Sequence, residues 1–378
     1  MKRVLIIAHA FPPLGIVGAL RPFKFAKYLP DFGWEPVILS AKIGKRVKAI
    51  DESLLDQLKP CVKIHRVSEI RPRKLYEKYS ARKNNNQSKL IKTHNNLSGK
   101  NSFISYLKRF WETWVEIPDR HIGWFPLALF KALQIMRSQN IDVIYSTSDP
   151  FTSHLVALLL KKITKKPWVA DFRDPWTQYP LYEYHSAIRK KIDEKFEYRF
   201  LQKADAVIVT SNLTGVGFVD KYPTIPRKKV ITITNGYDPS DYKDIVKSTN
   251  KRKFIITYTG NYFSVSSSNQ FIKALAEMIK LYPDLKSKIL VRFIGALLDD
   301  NSKNIINKFN LLDNVQYLGY KPYKQILQYQ SESDILLLTR SNQPGNEVII
   351  PAKLFEYLVI NKPILALVPV EGEVAKLI

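Results

Sequence analysis

The sequence predicts an α/β protein of two doubly wound, parallel-sheet domains. Three observations carry that expectation. Short continuous apolar runs recur along the chain, each followed by a loop and a helical pattern, as in strands buried on both faces of a parallel sheet. The pattern restarts after a polar stretch over residues 241–252. Near the end, residues 351–366 read as a short helix, a tight turn and a buried strand.

Composition sets the limits first. A chain of 378 residues is long enough for about two domains with real cores. Cys61 is the only cysteine, which excludes an intrachain disulfide and fits a reducing cytosol. No run of 18 apolar residues is present to span a membrane. The start, Met1-Lys2-Arg3 followed by Val4 to Ala8, is too short for a signal peptide, and Pro12-Pro13 cuts it off. The formal net charge of +25 suits an anionic partner, or else a Lys-rich solvated surface. The charge is uneven: between Arg71 and Arg109 Glu77 is the only acid, and Tyr76, Tyr79, Phe103, Tyr106, Phe110, Trp111 and Trp114 flank or interleave the cations. Basic plus aromatic at a helix is a membrane-interface pattern.

In the first domain, residues 1–240, Val4 to Ala8 is the first strand. A loop with Gly15 and Gly18 leads into a helix from about Ala19 to Phe32, with Pro22 in its first turn and Gly33 closing it. This is a glycine-containing β-loop-α unit without G-x-G-x-x-G, so a dinucleotide fingerprint is absent. Val37–Leu39 is a strand, Lys48–Leu58 a helix and Val62–Val67 a strand. The polar stretch 80–102 reads as a loop and Phe103–Trp114 as an amphipathic helix, together a basic insert over about 71–114. Then follow a helix to about Ser138, a strand over Asp142–Ser146, a helix over Thr152–Lys162 carrying His154, and a strand over Trp168–Phe172. That last strand runs into Asp171-Phe172-Arg173-Asp174-Pro175-Trp176, which places carboxylates and an arginine where open α/β sheets bind ligands, or else a structural Asp–Arg pair. Helix Ile188–Gln202, strand Ala206–Thr210, a helix capped by Ser211 and strand Val230–Thr234 complete this half.

The second domain, residues 253–378, repeats the alternation. Strands are expected over Phe254–Tyr258, Ile289–Phe293, Val315–Leu318 and Ile335–Leu338, and helices over Asn269–Tyr282, Asn301–Phe309 and Tyr323–Ser331. The strand ends carry Gly260, Gly295, Gly319 and Tyr320. In the terminal stretch Pro351 suits a first helical position, and Lys353 and Glu356, three apart, share a face. A cation and free N–H groups suit a diphosphate, and a carboxylate suits vicinal hydroxyls; the alternative is a solvated surface ion pair. A ligand cleft between two such domains is the default site.

With these residues in view, the sequence resembles the retaining glycosyltransferases of family 4, which have the GT-B fold of two Rossmann-like domains facing a cleft, in the branch that builds bacterial surface polysaccharides such as O-antigen or capsule. The resemblance rests on Ala10-Phe11-Pro12-Pro13 through Gly18 with Arg21, on Pro118-Asp119 with Gly123-Trp124, and on residues 171–176, 234–238, 258–261 and 350–358. It implies transfer of a sugar from a nucleotide diphosphate donor, with retention, to a lipid-linked or other glycan acceptor. It implies no metal and no cofactor, and no nucleic-acid partner. A peripheral place at an anionic, cytoplasmic membrane face goes with it.

As site residues the resemblance implies Asp171, Arg173 and Asp174 as catalytic and Gly15, Gly18, Arg21, Gly260, Asn261, Gly295, Tyr320, Lys353, Leu354 and Glu356 around the donor. Ser148, His154 and Asn235 fall on the acceptor side. Three departures stand out. Val348 occupies the position of the first glutamate of E-x7-E, Asn261 follows Gly260 where an arginine is usual, and the chain stops at Ile378 without the crossing C-terminal helix. Lys353 is the expected substitute for the missing cation, with Arg340 as the other candidate. Three other readings remain. A non-catalytic nucleotide-sugar-binding paralogue and a nucleotide-sugar epimerase are two. Nucleic-acid binding is the third, supported by charge alone and by no recognised motif.

Overall fold

The computed structural model describes the chain except for residues 45–46, 48, 71–112, 180–181, 183, 185, 247–252, 261–267 and 296–299. Almost all of the basic insert, the loop 80–102, most of the helix expected over Phe103–Trp114, much of the polar stretch 241–252, and Asn261 fall outside the described residues. The chain divides into two compact units, Met1–Ile208 with Phe218–Ile231, and Val209–Gly217 with Thr232–Ile378.

The first unit carries a seven-stranded sheet in the order β3-β2-β1-β4-β5-β6-β7. Its strands are β1 (Lys2–Ile7), β2 (Trp34–Ala41), β3 (Lys63–Val67), β4 (Val143–Ser148), β5 (Trp168–Phe172), β6 (Ala206–Val209) and β7 (Val230–Thr232). β1 pairs in parallel with β2 and β4, and Val4, Leu5, Ile6 and Ile7 are all buried. That is why the N-terminal run is apolar without alternation. The helices are α1 (Val17–Tyr28), α2 (Phe125–Ser138), α3 (Thr152–Thr164) and α4 (Ala187–Lys203), while α5 (Asn212–Lys221) is divided between the two units. Strand order reverses between β1 and β4, so the loops leaving those two strands meet at a switch point, where open sheets bind ligands.

The second unit carries a five-stranded parallel sheet, β10-β9-β8-β11-β12, from β8 (Phe254–Thr259), β9 (Ile289–Ile294), β10 (Val315–Gly319), β11 (Ile335–Thr339) and β12 (Ile364–Leu367). Its helices are α6 (Ser268–Leu281), α7 (Asp300–Lys308), α8 (Tyr323–Ser331), α9 (Lys353–Ile360) and α10 (Glu373–Leu377). Here the switch point lies between β8 and β11. Helix α9 packs there through Leu354 and Tyr357, which join Leu336, Leu338, Ile350 and Val374 in one cluster.

Three local expectations are corrected. The helix expected over Lys48–Leu58 is a 3₁₀ segment, Glu52–Gln57, opened by the Asp51 carboxylate accepting from the Ser53 N–H. Helix α1 starts at Val17, so Pro22 falls in its second turn. Pro351 precedes α9 rather than opening it.

Candidate functional site

In the first unit the candidate residues form two linked networks. Pro22 has no N–H to give the carbonyl of Gly18, four residues earlier in α1. That carbonyl accepts instead from Arg173 Nη1 at 2.6 Å. A Cβ at position 18 would stand 3.2 Å from the same nitrogen, so glycine keeps the approach open. The Arg173 Nε and Nη2 donate to the carbonyls of Ser148 and Asp149, the latter at 2.7 Å. One guanidinium therefore fastens the start of α1 to the loop after β4 through main-chain oxygens.

Asp171 lies beneath, at the end of β5, with no exposed surface. It accepts from Arg21 Nε at 3.0 Å and Nη2 at 3.0 Å, from the Tyr145 hydroxyl at 2.7 Å and from Thr147 Oγ1 at 2.8 Å. Burial and the Asp171 charge together drive the Tyr145 hydroxyl well above its ordinary pKa. Both oxygens of this carboxylate are met by protein donors. Arg21, its side chain only 8% exposed, pairs with Asp171.

His154 is fully buried among Phe151, Trp168, Phe172 and Phe200. Its Nδ1 is 2.8 Å from Ser146 Oγ, which also accepts from the Trp168 indole at 2.7 Å. Desolvation pushes its pKa down to about 3, so it is a neutral core histidine. Ser148 is buried as well, its hydroxyl 3.4 Å from the Asp171 carbonyl. Gly15 lies in the loop after β1, where its N–H donates to the carbonyl of Ala49 at 2.9 Å. Asp174 follows Arg173 directly, and Asn235 lies in the second unit, just past β7.

In the second unit the strand ends are stitched together by glycines. Gly260 has φ +114° and Gly295 φ +142°, both conformations that side chains rarely adopt. The Gly260 N–H donates to Ile294 at 2.8 Å, the Gly295 N–H to Gly319 at 2.9 Å, and the Tyr317 hydroxyl to the Gly295 carbonyl at 2.8 Å. A Cβ on Gly295 would lie 2.3 Å from the Gly260 oxygen, and one on Gly260 would lie 3.4 Å from Lys353 Nζ.

Lys353 and Glu356 sit on this platform, each with its own partners. Lys353 Nζ donates to the Thr259 carbonyl at 2.8 Å and stands 3.7 Å over the Tyr258 ring. Burial lowers its pKa, while Tyr258 and Glu356 pull the other way. Glu356 accepts from Gln330 Nε2 at 2.9 Å and from the Tyr323 hydroxyl, and burial raises its pKa. Gln330 also donates to Thr259 Oγ1 at 3.1 Å. The Tyr357 hydroxyl receives the Thr259 N–H at 3.1 Å and donates to the Leu337 carbonyl at 3.3 Å, which fixes the rotation of α9 on the sheet. The alternative of a solvated surface pair is therefore not what forms.

Two donor-side expectations change. Leu354 is wholly buried and belongs to the core. The N–H groups of Leu354 and Phe355 are used within the helix start, by the Pro351 and Ala352 carbonyls at 3.0 and 3.2 Å, so the turn offers fewer free donors than expected. Tyr320 is 57% exposed beside Gly319. Gln330, Tyr323 and Thr259 were not singled out by sequence reasoning. Only their return to one point by the fold reveals them.

With this geometry in hand, comparison with known proteins is informative. A model described as glycosyltransferase family 4 matches residues 103–241, and one described as glycosyl transferases group 1 matches 241–374. A Bacillus subtilis protein described as a teichuronic acid biosynthesis glycosyltransferase, TuaH, is 25% identical over 185 residues. That match takes in 47% of this chain and 44% of the relative, so under half of the relative's length is spanned. Among solved structures, a sucrose-phosphate synthase from Thermosynechococcus elongatus aligns over 97% of this chain and 81% of its own, with TM-score 0.64 and 12% identity. HepE of Anabaena, solved with UDP, aligns over 97% and 80%, with TM-score 0.56 and 13% identity. The two family matches together run from residue 103 to 374, from β4 through β12, and the chain belongs to the family 4 glycosyltransferases with the GT-B fold of two Rossmann-like domains.

Proposed function

We propose that this protein transfers a sugar from a nucleotide diphosphate donor to a glycan acceptor in the synthesis of a cell-surface polysaccharide. The observation that carries the reading is the pair Lys353 and Glu356, held half-buried at the start of one helix over a glycine-stitched strand edge. A carboxylate has about four lone-pair directions, and Gln330 and Tyr323 occupy two. The rest suit the two hydroxyls of a ribose. Lys353 supplies a cation for the diphosphate, whose charge grows as the sugar departs. Gly260 and Gly295 let a ligand come close to main chain that side chains would screen.

Retention at the anomeric carbon and a lipid-linked acceptor are part of the proposal. They are supported by the family and by the description of TuaH as a teichuronic acid biosynthesis glycosyltransferase. The UDP found with HepE supports a uridine nucleotide as the first donor to try. The basic and aromatic sequence between Arg71 and Trp114 supports work at an anionic membrane face; no helix among the described residues is long and apolar enough to cross one. In the first unit Arg173 and Asp174 remain the residues nearest the chemistry in this reading. Arg173 acts there by holding the loops of Gly18 and Asp149 in place.

The test is thermal unfolding with a panel of nucleotide sugars, for the wild type and Glu356→Ala. At 100 times its Kd a true donor stabilises the wild type by about 2.7 kcal/mol, and it shifts the variant far less. If no nucleotide sugar shifts the wild type, the donor site is not there. Binding without hydrolysis or transfer under any acceptor would favour a non-catalytic paralogue, the reading to which Val348 in the place of a glutamate points.

A further inference from the structure

A second cluster lies wholly within the first unit. His9 follows β1 by two residues, Glu69 follows β3 by two, and His121 immediately precedes the turn Ile122–Trp124. Far apart in sequence, they bring one ligand atom each to within 4.8 Å of the others. His121 Nδ1 is 2.9 Å from Glu69 Oε1, and His9 Nε2 is 4.0 Å from Glu69 Oε2. The imidazole centroids are 4.1 Å apart at 48°. The Glu69 side chain is 5% exposed.

The three are held by the main chain of different elements. The Ile70 N–H donates to the Gly123 carbonyl at 3.0 Å, tying the segment after Glu69 to the segment after His121. A Cβ on Gly123 would fall 1.8 Å from the Ile70 oxygen, so only glycine permits this approach. The Ala41 N–H donates to the His9 carbonyl at 3.1 Å, and the His9 ring stands edge-on to buried Trp124. The Asp119 carboxylate takes the His121 N–H at 2.8 Å and the Thr152 N–H at 2.7 Å.

A lone histidine–carboxylate pair needs one imidazole. Two imidazoles converging on one nearly buried carboxylate are explained when all three share a cation. Donors about 2.0–2.2 Å from a common tetrahedral ion lie about 3.3–3.6 Å apart; the separations from the Glu69 oxygens, 2.9 and 4.0 Å, fall on either side of that range, within reach of small side-chain rotations. Two nitrogens and one oxygen suit zinc or a neighbouring divalent transition metal rather than magnesium or calcium, which take oxygen ligands.

We infer that His9, Glu69 and His121 form a binding site for one divalent transition-metal ion at the carboxyl edge of the first sheet. The ion would take His9 Nε2, His121 Nδ1 and the carboxylate, and keep a position open for water or a substrate oxygen. Metal at Nδ1 requires the proton of His121 on Nε2. The bond from Arg120 Nε to that nitrogen, 3.2 Å long, must then open, so Arg120 opposes loading.

The test uses the full chain stripped with a chelator and titrated calorimetrically with Zn²⁺ in a competing buffer, with metal content measured after dialysis and Co²⁺ absorption as the coordination probe. One equivalent is expected, with visible Co²⁺ bands of a four- or five-coordinate site. Glu69→Gln, His9→Ala and His121→Ala should each weaken binding at least tenfold. His65→Ala, a histidine outside the cluster, should leave it unchanged, and Arg120→Ala should leave it equal or tighter. Metal-free unfolding of Glu69→Gln, compared with wild type, checks that the variant is folded. Absence of stoichiometric Zn²⁺, or affinity unaltered in folded Glu69→Gln, overturns the site. Weaker binding in Arg120→Ala overturns the assigned nitrogen. Donor binding in the second unit is measured separately, so failure of either reading leaves the other standing.

Discussion

Asp171 offers the sharpest test of what holds the first unit together. Asp171→Asn removes a buried negative charge that accepts from Arg21, Tyr145 and Thr147. The Arg21 guanidinium, 8% exposed, is left without its counter-ion. Breaking one side of a buried pair costs about 3–5 kcal/mol. In a unit of this size each kcal/mol lowers the melting temperature by about 2–4 °C, so a fall of about 6–20 °C is expected. The assay is thermal and urea unfolding of the wild type, Asp171→Asn, Arg21→Met and the double variant. Removing both charges relieves the orphaned cation, so the double variant should be more stable than the summed single effects by at least about 1.5 kcal/mol. Stability would not be fully restored, because Asp171→Asn keeps an oxygen for the Tyr145 and Thr147 hydroxyls but loses the charge that strengthens both bonds. A change below about 1 kcal/mol in Asp171→Asn, accompanied by a collapse in turnover, would refute this reasoning and return Asp171 to catalysis.

Three further outcomes follow from the geometry. Gly295→Ala should destabilise the second unit by about 2–6 kcal/mol in urea unfolding, combining a forced φ of about 1–3 kcal/mol with a Cβ pressed on the Gly260 carbonyl; unchanged stability would contradict it. Lys353→Met should weaken donor affinity by roughly tenfold or more while leaving unfolding near wild type, since a buried lysine pays for its own desolvation; intact affinity in a binding titration would remove Lys353 from the site. His154 holds its folded pKa near 3, below the unfolded value, so the unfolded chain takes up the proton first as pH falls. That contribution to stability is complete above about pH 6.5 and declines by about 1.4 kcal/mol per pH unit down to about pH 3. His154→Phe should flatten the slope in urea unfolding at several pH values, and an unaltered slope would refute the neutral core assignment.

Much of the fold was legible because parallel sheets write themselves as apolar runs. Helix α8 has the bounds that its flanking turn residues suggest, and β5 those of its apolar run. The failures have physical causes. Asp51 offers its carboxylate to the local main chain and draws the next segment into a 3₁₀ turn, which helical periodicity over Lys48–Leu58 does not reveal. Asp171 and His154 have the residue types of a reaction centre, but their partners come from other strands, and burial is a property of the packed whole. The Lys353 and Glu356 spacing was readable as a shared face. Their anchors were not, because Gln330 and Thr259 reach that face from α8 and β8. For the same reason His9, Glu69 and His121 look unrelated along the chain.

The proline in α1 has a consequence that reaches beyond one molecule. Any other residue at position 22 restores an N–H that can claim the Gly18 carbonyl for the helix, and Arg173 then loses that oxygen as a partner. Positions 22 and 173 thus form one heritable unit, although 151 residues separate them. Across homologues the two should be retained or lost together.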